Sequence, residues 1–154
     1  MGGFRNGRQT TVCYSVGVGL AMAMTQDDLN RLADTWLGYW HAPEGSPIRG
    51  SFAWAGDRVM DLRYDDEPEE LWRLILLHRK DQSPFIQQVL SAGPVDDLLA
   101  KYGEVFIERV ELEAHADPSF AKLLGGVWQS RMSDSVWARV QAVWDRRGWD
   151  GIPE

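Results

Sequence analysis

The 154-residue chain carries 23 acidic against 16 basic side chains, a net charge of −7, with 44% hydrophobic and 25% charged residues. That balance is globular rather than disordered. It argues against unaided nucleic-acid binding, whose affinity comes largely from neutralising phosphates. Cys13 is the single cysteine, so an intramolecular disulfide and a multi-cysteine metal centre are excluded, and a reducing compartment is the natural setting. A chain of this length buries enough surface to fold with no staple. Eight tryptophans stand out; each ring buries on the order of 150–250 Å², and tryptophan is enriched at binding hot spots.

Residues 1–23 differ from the rest. They hold Arg5, Arg8 and no acid, which leaves −9 for the remainder. Three readings stay open: a short strand through Thr10, Thr11, Val12, Tyr14, Val16 and Val18; an extension upstream of a start at Met22 or Met24; or a signal-like segment ending near Ala21-Met22-Ala23. The run from Val12 to Met24 is too short to span a bilayer. The expected location is cytoplasmic, or periplasmic if the segment acts as a signal. Residues 24–154 read as one helical domain.

Thr25 is an N-cap with Gln26, Asp27 and Asp28 in the first turn. Leu29, Leu32, Ala33, Trp36, Leu37 and Trp40 follow at helical spacing up to Ala42. Residues 43–50 hold Pro43, Gly45, Ser46 and Pro47 and read as a loop. Phe52 to Leu62 suits a shorter helix. Asp65-Asp66-Glu67-Pro68 reads as an acidic cap with proline at the first helical position. The helix behind it, to about residue 80, is apolar nearly all round through Leu71, Trp72, Leu74, Ile75, Leu76 and Leu77, which predicts a central place. Ser83-Pro84 opens another helix, and Gly93-Pro94 is expected to break it. Pro94 to Tyr102 reads as a short helix with Gly103 as its C-cap. Glu104 to His115 has an ambiguous period. Asp117-Pro118 repeats the acid-proline start, and Ser133 or Asp134 caps the last helix, to Gly148. The expectation is an all-α fold of about seven helices, as a compact bundle or a short α-solenoid-like array.

Signs of catalysis are sparse. His41, His78 and His115 lack nucleophile–base spacing and read as structural. Glu104, Glu108, Glu111 and His115 fall on one helical face. Glu108, Glu111 and His115 are therefore the only metal candidates, with no second ligand helix to complete them; no cofactor is expected. Gly125-Gly126 reads as a helix C-cap rather than a phosphate loop. Seven acids lie between residues 57 and 70 against Arg58 and Arg63. Trp36, Trp72, Trp128, Trp137 and Trp144 read as core, whereas Trp40, Trp54 and Trp149 sit near loops or ends.

Ala92-Gly93-Pro94-Val95-Asp96-Asp97-Leu98-Leu99, Glu108-Arg109-Val110-Glu111, Asp117-Pro118-Ser119-Phe120 and Leu124-Gly125-Gly126-Val127-Trp128 together resemble a bacterial family of small all-α domains of unknown function. Trp72-Arg73-Leu74-Ile75 resembles its upstream helix. The resemblance spans roughly residues 30–140. It implies a bacterial source and an all-α fold, and brings no catalytic residues. The functional expectation is a protein-binding domain, most concretely an acidic immunity-type protein that plugs the basic surface of a toxin. Its binding residues are expected to be Asp61, Asp65, Asp66, Glu69, Glu70, Trp40 and Trp54. Alternatives are a phage- or mobile-element-derived inhibitor of a host nuclease or defence complex, and a metal-dependent enzyme using Glu108, Glu111 and His115. No nucleic-acid or membrane partner is expected, and a homodimer would also cover excess apolar surface.

Overall fold

Thr25 caps the first helix as its position promises. In the computed structural model, which describes residues 23–79, 81 and 83–154, its hydroxyl oxygen accepts from the Asp28 amide at 3.1 Å, and α1 runs Gln26–His41. The three readings of residues 1–22, and Cys13, lie outside the described residues. No strand occurs among the described residues.

The stretch read as a loop contains one extra turn. Ser46 caps α2, Pro47–Ser51, by accepting from the Arg49 amide, with Pro47 at the first position. Next come α3, Ala53–Tyr64, and α4, Pro68–His78. The acidic cap expected before α4 is absent: Glu67 makes no side-chain capping bond. Its carboxylate accepts both terminal nitrogens of Arg58 instead, at 3.1 and 2.7 Å. A bidentate charged pair outcompetes a cap, because two charge-assisted bonds form at once.

The break expected at Gly93-Pro94 is also absent. α5, Pro84–Leu90, runs through a π-helical turn, Ser91–Val95, into α6, Asp96–Ala116. Proline in a regular helix clashes with the carbonyl four residues back. One inserted residue widens the turn and accommodates the ring. Ser91, which is buried, donates its hydroxyl to the Gln87 carbonyl at 2.8 Å and helps satisfy that turn. Gly103 is not a C-cap either. The chain kinks at Tyr102 (φ −127°, ψ 17°) and stays helical. A Cβ on Gly103 would fall 2.8 Å from Val136 Cγ1, so glycine there lets α6 approach the last helix. That helix follows α7, Pro118–Leu124; it is α8, Asp134–Val143, capped by Ser133 and ending before Gly148.

Helix α4 lies at the centre, packing on α1, α3, α6 and the π-turn. α8 folds back on α6, and α7 contacts both α5 and α6. Contacts between non-neighbouring helices make this a bundle, since a solenoid contacts only successive units. Leu71, Trp72, Leu74 and Ile75 of α4 are buried, and the Trp72 ring meets Phe106 and Phe120 at 5.8 Å each. Each such buried side chain contributes roughly 1.5–3 kcal/mol of transfer free energy. Val105 and Leu112 explain the ambiguous period of α6, because both face solvent.

Candidate functional site

Seven acids crowd residues 57–70 in the sequence, but the fold neutralises part of that stretch. Asp66 accepts from Lys101 Nζ at 2.8 Å and from the Tyr102 hydroxyl, which hold its carboxyl below the usual carboxylate range. Glu69 pairs with Arg109 at 2.7 Å, and Glu67 with Arg58. Arg63 is held by Asp97 at 2.5 Å. The local cations are thus committed to Asp66, Glu67, Glu69 and Asp97. Asp57 and Asp61 on the outer face of α3, and Asp65 just past its end, remain exposed.

Apolar rings interleave with those three acids. Trp54, Met60 and Tyr64 of α3 are 41%, 45% and 56% exposed. Arg31 lies over the Trp54 ring at 5.2 Å, and Arg63 over Tyr64 at 5.6 Å. Beside them a groove of about 260 Å³ runs between α1 and α3, and Trp40, Asp57 and Met60 line it. Trp40 is partly buried against Trp36, Tyr39 and Phe85, and its indole N–H is buried with no acceptor. Of the residues expected to bind a partner, Trp54 and Asp61 lie on α3 and Asp65 just past its end, whereas Trp40 lines the groove on the side of Asp57 and Met60. Asp66 and Glu69 are engaged in ion pairs, and Glu70 is half-buried at the start of α4.

A larger cleft, about 560 Å³, lies where the sequence suggests a helix end at Gly125-Gly126, core rings at Trp128 and Trp137, and Trp149 near the chain end. Trp128, Trp137 and Trp149 line it, with Arg146, Gln88 and Gln129. Trp128 is 70% exposed, which corrects its assignment to the core; Trp137 and Trp144 are partly buried, and only Trp36 and Trp72 of the five are fully so. Gly125-Gly126 makes the cleft possible. A Cβ on Gly125 would lie 2.1 Å from the Asp145 carbonyl oxygen, and one on Gly126 would lie 2.4 Å from the Trp149 ring and 2.6 Å from Ser91 Oγ. The C-terminal segment is tied down there by the Asp145 amide donating to Ala121 O at 2.8 Å and the Trp149 indole N–H donating to Lys122 O at 2.7 Å. Gly125 is the C-cap of α7, as the sequence suggests, but its φ of −60° needs no glycine; the close approach of Asp145 and Trp149 is what requires the pair.

The model of a family of unknown function, DUF6869, matches residues 43–148. The chain belongs to this family. No curated protein and no solved structure matches it. The resemblance seen in the sequence thus holds, with a match that starts later and ends later than residues 30–140. The DUF6869 match takes in the α3 face and most of the Trp128 cleft; Trp149 and Asp150 lie just past its end, and Trp40 lies before its start.

The metal candidates of this DUF6869 chain do not assemble. Glu111 accepts Arg139 Nε and Nη2 at 2.7 and 2.6 Å, and that pair holds its carboxyl below the usual range. Glu108 and His115 are exposed on the same helix. Among the described residues no group of three or more histidine, cysteine or acidic side chains could hold a metal. Of the histidines, His78 is buried against Trp36 with Nε2 unpartnered, and burial lowers its pKa. His41 is exposed, 3.8 Å from Asp81. No helix among the described residues is long and apolar enough to cross a membrane.

Proposed function

We propose that this domain is a protein-binding module whose partner presents a basic surface to the outer face of α3. One observation carries the reading: Trp54, Met60 and Tyr64 are exposed on one helix beside Asp57 and Asp61, with Asp65 exposed just past its end. An exposed apolar cluster rimmed by charge is how binding surfaces differ from ordinary surface. Aromatic anchors supply the hot spot, and unpaired acids steer a cationic partner. Trp40 and its groove extend the same surface. The most concrete form is an immunity-type protein that occludes the basic cleft of a toxin; an inhibitor carried by a mobile element would use the same surface.

The test is comparative capture. Immobilised full-length chain and the triple variant Trp54→Ala, Asp61→Lys, Asp65→Lys are exposed to native lysate across a salt series. Both are first shown to be folded by circular dichroism. Retained proteins are identified, purified and titrated back. The expected result is one protein held by the native chain, released as salt rises, and lost from the variant. Equal retention by both chains, or a partner indifferent to salt, would refute the proposal.

A further inference from the structure

The Trp128 cleft shares no lining residue with the α3 face, and its chemistry differs. We infer that it is a separate binding site for a small planar aromatic or heteroaromatic molecule bearing an oxygen acceptor. Its volume of about 560 Å³ falls in the range of small-molecule sites. Three indoles line it, and an indole exposed as fully as Trp128 has no packing reason to be there. Stacking on such rings suits flat ligands, because every aromatic ring has a π-face to offer.

Arg146 supplies the polar half. Its guanidinium lies over the Trp144 ring at 4.8 Å, which fixes its plane, and one terminal nitrogen pairs with Asp150. Its Nε–H is buried with no acceptor. Arg146 itself lines the cleft, so the guanidinium donors that Asp150 does not take are the ones an acceptor oxygen on a ligand would meet. The Gln88 and Gln129 amides add donor and acceptor capacity without charge. The Arg146–Asp150 pair leaves the lining without net charge, so a polyanion finds no basic field here. A π-helical turn contributes Ser91 and Ala92 to the lining, and such turns concentrate at functional sites.

The full-length chain, labelled with nitrogen-15, would be titrated with inosine, benzoate and glucose to millimolar concentration. The eight indole N–H signals are assigned by single Trp→Phe variants. Inosine presents a neutral heteroaromatic ring with acceptors, benzoate an aromatic carboxylate, and glucose a non-aromatic ring. Saturable shifts confined to Trp128, Trp137 and Trp149 with inosine or benzoate are expected, and the stronger of the two identifies the acceptor. Trp128→Ala should weaken that binding roughly 5- to 150-fold, the loss of one stacked ring. Because Trp128 is mostly exposed, this variant keeps the fold, so the test does not depend on Arg146 variants. Arg146→Lys should weaken it as well, by replacing the planar guanidinium fork with a point charge. Absence of shifts with both ring probes, preference for glucose, or binding unchanged in Trp128→Ala would each overturn the inference.

Discussion

Replacing Gly125 by alanine isolates the contact that closes the C-terminal segment onto the bundle. Gly125 sits at φ −60° and ψ −22°, a conformation alanine adopts freely, so backbone strain plays no part. The added Cβ would meet the Asp145 carbonyl oxygen at 2.1 Å. That oxygen belongs to main chain, which cannot rotate away as a side chain does. Relief requires the segment from Asp145 to Trp149 to retreat, which stretches the Asp145–Ala121 and Trp149–Lys122 bonds. Overpacking of this kind costs about 1–3 kcal/mol, and each weakened hydrogen bond adds about 0.5–1.5 kcal/mol. Reduced entropy of the unfolded chain returns only about 0.4–1 kcal/mol. The net is a destabilisation of about 2 kcal/mol or more, and a domain of this size should then lose at least roughly 4–8 °C in Tm. Gly56→Ala in α3 is the matched control. Nothing lies within 4 Å of its Cβ, so the same change should stabilise by about 0.5–1 kcal/mol. Thermal and urea unfolding followed by circular dichroism read both. A Gly125→Ala midpoint equal to or above that of the native chain would refute the packing of this segment.

Two tryptophans should respond oppositely to truncation. Trp72→Ala, at 4% exposure between Phe106 and Phe120, should cost about 3–5 kcal/mol, whereas Trp128→Ala should stay within about 0.5 kcal/mol of the native chain in urea titration. His78 predicts a pH dependence. Burial lowers its folded pKa despite the raising influence of Asp81 and Asp34, so the native state keeps it neutral while the unfolded chain takes up a proton below about 6.5. Stability is complete above that value and falls as pH drops toward the folded pKa. Urea midpoints between pH 8 and pH 5.5 should fall in the native chain and fall less in His78→Phe; equal slopes would exclude the histidine as the cause. Asp145, with its carboxyl lowered to about 2 chiefly by Arg147, acts at more acid pH, its contribution fading as pH falls from about 4 toward 2. Arg147→Ala should reduce that acid-side loss, as acid titration of ellipticity would show.

Local chemistry explains which features were legible in the sequence. Thr25, Ser133 and Asp117 cap helices because their partners are amides two or three residues away, a distance sequence spacing expresses directly. The all-round apolar α4 likewise declared its central position. Reading failed where the deciding partner was remote. Glu67 looked like a cap until Arg58 took its carboxylate. Gly93-Pro94 looked like a stop, because the compensating π-turn depends on packing rather than on the dipeptide. Trp128 looked like core because it follows the apolar Leu123, Leu124 and Val127, which are buried while its own ring faces solvent. Val105 and Leu112 blurred the period of α6 from its solvent side. Of the proposed binding surface, Trp40, Trp54, Asp61 and Asp65 could be named from composition and charge. The Trp128 cleft could not, Trp149 apart, since its walls come from four separate stretches of chain and from glycines whose requirement is set by Asp145 and Trp149.

The π-turn has a further consequence for how this chain tolerates length change. From Pro84 to Ala116 the backbone is helical almost throughout, bent at Tyr102, with the inserted residue setting the angle at which α6 leaves α5. An α-helix advances about 100° per residue. Deleting one residue from the regular part of α5 would therefore rotate everything beyond it by about a quarter turn or more, carrying Asp97 away from Arg63, whereas one residue lost within Ser91–Val95 would close the widened turn and drive the Pro94 ring into the carbonyl four residues back. Insertions and deletions that the loop around Gly45 absorbs at little cost become lethal to the fold here, so descendants of this chain should vary in length at residues 43–46 and hold it fixed from 84 to 116.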